Sequence, residues 1–295
     1  SFPSRPLRLV VPSSPGGGTD YLARQLAEEL GQALGQSVVV ENRPGANGVI
    51  ASESVWRAPA DGYTLLIIQS SHTVNPATMK KLPYDTTKDF AGVGRLAVSP
   101  LILVAAAKSG VRNVADLRAF ASANPERVSF AGSEMSTRLG SEQLIAALGV
   151  KGAVAMYKGT APAIADLAGG HIPFGIVSIA AAKPFFERGQ LNLLGLTSAA
   201  RSPLMPQAPT LTEQGLAMDF SGWWGLVVTG NTPRDIVEKL GAEVRKVLAN
   251  PKFDAKLERF AMTSAPSTPR EFDAYIASDM AAWAAVVKAA KIEPE

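Results

Sequence analysis

The chain contains no cysteine. That removes a thiolate nucleophile, a disulfide framework and any Cys-ligated zinc or iron–sulfur centre. Histidine is nearly as scarce, with 2 in all; His72 and His171 lie far apart and form none of the paired spacings that zinc enzymes use. Charge is sparse as well. Lys and Arg number 29 against 26 Asp and Glu, a balance of +3, and no run of five like charges occurs despite a pI near 9.1. Nucleic acid is therefore not an expected partner. The longest apolar run, Met280 to Val287, is far short of the roughly 20 residues that span a bilayer. What remains is 46% hydrophobic residues with 19% charged ones, the composition of a soluble, folded chain with a substantial core. A length of 295 residues suggests about two domains of ordinary size. Because the chain begins at Ser1 and enters a strand pattern at once, any targeting segment is expected to have been removed or never to have existed.

Short β-branched or aliphatic runs alternate with helical patterns. Leu7 to Val11 reads as a strand, Leu22, Leu26 and Leu30 with Ala23 and Ala27 as one helical face, Ser37 to Glu41 as the next strand, residues 49 to 57 as a helix and Leu65 to Ile68 as a third strand. This order implies parallel α/β construction. A second series begins at Leu101, with strands at Leu101–Ala105, Val128–Ala131, Ala153–Tyr157, Ile172–Val177 and Leu191–Thr197 and helices near 114–123, 138–148, 161–168 and 180–188. Trp223 to Val228 reads as a strand returning to the first domain, and the remainder as helical. Thr232-Pro233-Arg234-Asp235 and Thr268-Pro269-Arg270-Glu271 both look like helix starts with a capping Thr and a first-turn Pro.

The strongest local feature is Pro15-Gly16-Gly17-Gly18-Thr19-Asp20, a glycine turn between a strand and a helix. Glycines let backbone N–H groups approach a ligand, and a helix N-terminus carries about half a positive charge, so an anion fits there. It is neither the Gly-x-Gly-x-x-Gly dinucleotide fingerprint nor a P-loop, and the alternative reading is a tight strand-to-helix turn. Tyr157-Lys158-Gly159-Thr160-Ala161-Pro162 repeats the position in the second half, with Thr160 a candidate helix cap. Gly132-Ser133-Glu134-Met135-Ser136-Thr137 and Ser70-Ser71-His72-Thr73-Val74-Asn75-Pro76 also follow strands; their hydroxyls could bind a ligand or cap helices. No nucleophile elbow or triad accompanies His72. In open α/β sheets ligands bind beyond the carboxyl ends of the strands, so loops of two such sheets facing one another would line an interdomain cleft with N–H and hydroxyl donors suited to a carboxylate.

These blocks, together with Leu9-Val10-Val11-Pro12, Val40-Glu41-Asn42-Arg43-Pro44-Gly45-Ala46, Asp61-Gly62-Tyr63-Thr64-Leu65-Leu66, Leu82-Pro83-Tyr84-Asp85 and Lys88-Asp89-Phe90, resemble the Bug family, the TctC-type periplasmic solute receptors of tripartite tricarboxylate transporters. The resemblance runs from the N-terminus to Trp283. It implies an α/β, type II periplasmic binding protein fold with two doubly wound domains, residues 1–98 plus 222–295 and residues 99–221, around an interdomain cleft. It further implies a cleaved signal peptide, a periplasmic home, a monomer without cofactor or metal, and delivery of a small organic acid by hinge closure to the membrane permease subunits of a TctA/TctB-type transporter, with no catalytic residue. By the same resemblance, Ser13, Ser14, Gly16, Gly17, Gly18, Thr19 and Asp20 with Ser70, Ser71 and His72 would hold one carboxylate. Ser133, Glu134, Ser136, Thr137, Lys158, Gly159 and Thr160 would hold the other end.

Three departures bear on specificity. Many relatives have an aromatic residue where Ser13 stands. Val177-Ser178 replaces a frequent Asp-Asn, which leaves Ser178 as a candidate contact and removes a carboxylate that could pair with an amino group. Glu134 stands in a loop usually made of small neutral residues; it would repel a carboxylate if it faced the ligand, and it could instead face solvent, pair with Arg138 or accept a bond from a ligand hydroxyl. The expected ligand is a non-amino organic acid, aliphatic dicarboxylate first and aromatic carboxylate second, with Trp223 and Trp224 either an apolar wall or core. The competing readings are an enzyme acting on a small anionic substrate in the same cleft and a ligand-sensing receptor for a membrane signalling partner. A transcription factor would need a helix-turn-helix segment, and the chain starts on a strand with none to spare.

Overall fold

The computed structural model describes residues 1–295. Five strand and helix patterns of the first third form where the periodicity puts them: β1 (Leu7–Val11), α1 (Gly18–Leu34), β2 (Val38–Asn42), α2 (Val49–Trp56) and β3 (Thr64–Gln69). Then comes α3 (Ser70–Thr78), which follows β3 without any connecting loop, where the sequence suggested one. Its residues have no apolar period and include Pro76. Tertiary contact explains the helix: the Thr73 hydroxyl lies 2.6 Å from a carboxylate oxygen of Asp279, at the far end of the chain.

The chain continues through β4 (Phe90–Ala106), α4 (Val114–Ala123), β5 (Ser129–Gly132), α5 (Met135–Leu148), β6 (Ala153–Met156), α6 (Thr160–Gly169), β7 (Phe174–Ser178), α7 (Ile179–Glu187) and β8 (Leu191–Leu196). It returns through β9 (Ser221–Thr229), α8 (Arg234–Leu248), α9 (Pro251–Leu257), the short β10 (Thr263–Ser264) and α10 (Pro269–Ala289). Two compact units result, residues 1–98 with 223–295 and residues 99–222. Gly222, expected with the first segment, falls with the second, so that β9 changes unit just before Trp223.

In the first unit β1 lies between β2 and β3 with parallel register, and β9 pairs antiparallel to β3. Both faces of this sheet are covered, as its near-continuous apolar strands require. Leu7, Leu9, Val11, Leu65, Ile67, Leu226 and Val228 face a core completed by Leu22, Leu26 and Leu30 of α1. Val10, Leu66, Ile68, Trp223 and Val227 face the opposite core, which contains Tyr84, Phe90 and Phe272. Thus neighbouring Trp223 and Trp224 point to opposite faces, and Trp223, 2% exposed, is core.

The second unit is built on β4, β5, β6, β7 and β8: β6, β5 and β7 run parallel, and β4 pairs antiparallel with β7 and with β8. β4 is much longer than the segment Leu101–Ala105 that apolarity alone suggests. Its first half includes Gly92 and Gly94, residues that weaken a strand, but here Ala265 N–H donates to Leu96 O and Arg95 N–H to Ser267 Oγ. Two strand neighbours from the last third of the chain, β9 and β10, make this half of the strand.

Of the two Thr-Pro helix starts, Thr268 caps α10 in a reciprocal box with Glu271. Thr232 does not cap α8, which begins after Pro233. The Thr232 N–H and hydroxyl both bond to Thr229 O, and Asp235 is one methylene shorter than the Glu that closes the box at α10.

Candidate functional site

The carboxyl ends of β1, β2 and β3 open onto loops that meet one another. After β1 the chain turns through Pro12 to Gly17, and α1 begins at Gly18 with Gly17 as its cap. Gly16 has φ +102, a conformation that a side chain strongly disfavours, and a Cβ on either Gly16 or Gly17 would meet nothing within 4 Å. Here the backbone approaches open space with the first N–H groups of α1 beside it, since Gly17 makes no side-chain cap. After β2 the segment Gly45, Ala46, Asn47 and Gly48 holds four successive positive φ values of 123, 49, 52 and 86. It lies against the other two loops: a Cβ on Gly48 would sit 3.5 Å from Pro12 Cβ and 3.6 Å from Ser71 Oγ, and Asn75 Nδ2 donates to Asn47 O at 3.0 Å. After β3, Gln69 caps α3 and Ser70 and Ser71 form its half-buried first residues. The buried Ser13 Oγ has no protein partner.

Within this set the structure divides ligand-facing candidates from bracing ones. Asp20 is a brace: it is 4% exposed and accepts from Gly16 N–H, Arg24 and Asn42. Burial raises its pKa, but the bonds from Asn42, the Gly16 amide and Arg24 outweigh that and hold the carboxyl below its ordinary value. Asn42 also donates to Ser13 O, so one carboxylate ties the glycine turn, α1 and the end of β2 together. Gly18 is a packing glycine, since a Cβ there would lie 2.9 Å from Met262 and 3.3 Å from Phe260. Thr19 is spent on Trp224 and Gln69, each at 2.9 Å.

His72 leaves the set too. It is 4% exposed, packed between Tyr84 and Phe90, with Nδ1 3.3 Å from Ser52 Oγ. Burial lowers its pKa to about 4, so it is neutral near pH 7. On α3 the residues after Ser71 turn into the core. Ser13, Ser14, Gly16, Gly17, Ser70 and Ser71 remain as candidates.

The second unit collects a smaller group. The Thr137 hydroxyl accepts the N–H of Ser133 and of Glu134 and donates to Glu134 O, which makes it a helix brace. Glu134 is the cap residue of α5, exposed, in a reciprocal capping box with Thr137 and without an ion pair to Arg138. Gly159, with φ +105, caps α6; Thr160 is that helix's first residue rather than its cap. The Thr160 hydroxyl stands 3.5 Å from that of Ser133, with Lys158 exposed nearby in sequence. Ser136 is half-buried. The Ser178 oxygen accepts Ala181 N–H and caps α7, which accounts for its position without a ligand.

The first-unit loops thus offer N–H and hydroxyl donors, and the carboxylate bonded to the glycine turn, Asp20, is neutralised by Arg24 at 3.1 Å. Such a surface suits an anion and contains no nucleophile–base pair. The family model described as tripartite tricarboxylate transporter family receptor matches residues 22–292.

The chain belongs to the tripartite tricarboxylate transporter receptor family.

This is a family of solute receptors, not of enzymes. Among curated relatives, protein BugT of Bordetella pertussis is 34% identical over 98% of this chain and 90% of its own length. Among solved structures, R. palustris Rpa4515 with adipate is 32% identical, covers 100% of both chains and superposes with a TM-score of 0.82. MatC from Rhodopseudomonas palustris with bound malate is 27% identical over 97% of this chain and 100% of its own, with a TM-score of 0.75. Of the glycine turn Pro15–Asp20 and the Asn42-Arg43-Pro44-Gly45 loop, the sequence marks only the first as a candidate site. Gly45 to Gly48 reads in the sequence as a chain break and nothing more; its proximity to Ser71 and Pro12 is a tertiary fact.

Proposed function

We propose that this protein is a periplasmic receptor for a small non-amino organic acid, aliphatic dicarboxylate before aromatic carboxylate, which it delivers to the permease subunits of a tripartite transporter. The observation that carries the proposal is the convergence of the loops after β1, β2 and β3 on one neutral, donor-lined edge, with Ser13 Oγ unpartnered. One carboxylate would be held there by Ser13, Ser14, the Gly16–Gly17 backbone, Ser70 and Ser71. Adipate and malate in the related structures support the ligand class. The absence of an acidic side chain at Val177-Ser178 favours ligands without an amino group. Binding alone is sufficient: a ligand shifts a receptor toward whichever state it binds better, with no covalent step. No helix is long and apolar enough to cross a membrane.

A thermal-shift panel with native mass spectrometry of the purified protein tests this. Adipate, malate or an aromatic carboxylate should raise the melting temperature, and an organic acid should co-purify. If only amino acids or sugars stabilised the protein, the carboxylate reading would be wrong. Ser70→Ala with Ser71→Ala should weaken binding, and Ser133→Ala with Thr160→Val tests the second-unit hydroxyls separately.

A further inference from the structure

Gln69 and Trp224 face each other directly across the antiparallel β3–β9 ladder. Opposed residues share a face of the sheet, and theirs is the one covered by α1. There Trp224 Nε1–H donates to Thr19 Oγ1 at 2.9 Å, and the Thr19 hydroxyl donates to Gln69 Oε1 at 2.9 Å. The direction of this relay follows from chemistry. An indole N–H can only donate, so the Thr19 oxygen must accept from Trp224. Thr19 is 9% exposed, and a hydroxyl proton left unbonded there would be costly. The proton goes to Gln69, and Gln69 must present its carbonyl oxygen to receive it. Its NH2 group is therefore turned the other way.

The rest of Gln69 points the same way. It is the cap residue of α3, with extended backbone at φ −134 and ψ −178, yet its side chain makes no capping bond. Its amino group meets no acceptor of the protein, although the side chain sits where the first turn of α1 and the start of α3 come together. A carboxamide that could turn either way would suit donors and acceptors alike; one locked by an indole offers a donor only.

We propose that Gln69 is a specificity-determining donor for the ligand's carboxylate, with Thr19 and Trp224 as positioning residues that lock its amide orientation. The inference rests on the receptor reading above. It explains why Thr19 and Trp224, neither of which need touch the ligand, are wired to this edge of the sheet. It also gives the site a means of preferring an acceptor such as a carboxylate over a ligand ammonium group.

Calorimetry on the full chain with adipate and malate as probes tests the proposal. Gln69→Glu keeps an acceptor for the Thr19 hydroxyl but replaces the donor by a negative charge, and Gln69→Met removes both. Each should weaken binding by about 10- to 100-fold; the ligand-free melting temperature should stay nearly unchanged in Gln69→Glu and fall in Gln69→Met, which leaves the Thr19 hydroxyl without its acceptor. Thr19→Val and Trp224→Phe should weaken it by about 3- to 10-fold, and neither should add to Gln69→Met, because they act through the same amide. Thr19→Ser should restore wild-type affinity. The Trp224 indole proton, followed by NMR without ligand, should move upfield in Thr19→Val and not in Thr19→Ser. Wild-type binding retained in both Gln69 variants would overturn the donor role while the receptor reading stood. Additive losses, or an unmoved indole proton, would overturn the relay. Failure of the wild type itself to bind either acid would remove the receptor reading and the donor role with it.

Discussion

His72 shows how a residue's chemistry changes with its surroundings. An exposed histidine beside two serines would be a reasonable base, but this one is enclosed by Tyr84, Phe90 and Ser52 and its pKa falls from 6.5 to about 4. The folded state thus resists protonation that the unfolded chain accepts. Its contribution is fully present above about pH 6.5 and is lost as pH falls toward 4, below which it changes no further. The span corresponds to a loss of about 3 kcal/mol. Urea unfolding between pH 7 and 4 should show that slope, and a His72→Leu variant should be less stable at pH 7 but flatter with pH; an equal slope in both proteins would assign the acid sensitivity elsewhere. Asp20 makes the complementary case. Asp20→Ala would leave the Gly16 N–H, the Asn42 amide and Arg24 without their shared acceptor, and should cost about 2 kcal/mol. A lower urea midpoint at unchanged slope would register it.

At the scale of elements, local signals succeeded where they described a segment's own needs. The face of α1 and the Thr268–Glu271 box were legible because helical period and capping geometry lie within a few residues. β4 and α3 were not, because their neighbours come from the last third of the chain: Ala265, Ser267 and Asp279. The same dependence predicts a sensitive point on β9. A Cβ added to Gly225 would collide with the ring of Phe272, which is 0% exposed and cannot move aside into solvent. Gly225→Ala should cost about 3 kcal/mol, seen as a lower melting temperature by circular dichroism; wild-type stability would mean that α10 can shift away from the sheet at little cost. That variant's loss should arise in stability rather than through any direct contact with ligand.

For the molecule as a whole, binding and stability are linked. A carboxylate present at 100 times its Kd should stabilise the protein by about 2.7 kcal/mol, a rise in melting temperature of roughly 5–10 °C for units of this size. A titration in which the rise follows the logarithm of ligand concentration would distinguish specific binding from a general salt effect, which sodium chloride at equal ionic strength would reproduce. The net charge of +3 is too small to act as the attractor. On the proposed reading, oriented N–H groups at the ends of β1, β2 and β3 would serve instead, and their effect would be local and screened little by salt with the ligand against them.

The amino-acid sequence alone determined the alternation of strands and helices, the α/β class, the glycine turn after the first strand and the membership of a receptor family, because each depends on residue types at short spacing. Tertiary structure decided which residues of those motifs are free. Asp20, Thr19 and His72 sit beside good ligand donors in the chain yet are turned to Arg24, Trp224 and Ser52, partners that no local pattern specifies. Gly48 and Gln69 come to the candidate site in the opposite way, through contacts with Pro12, Ser71 and Thr19 made when three strands aligned their ends. Hydrogen-bond capacity is finite, so a residue's availability to a ligand is settled only after the fold has used what it needs.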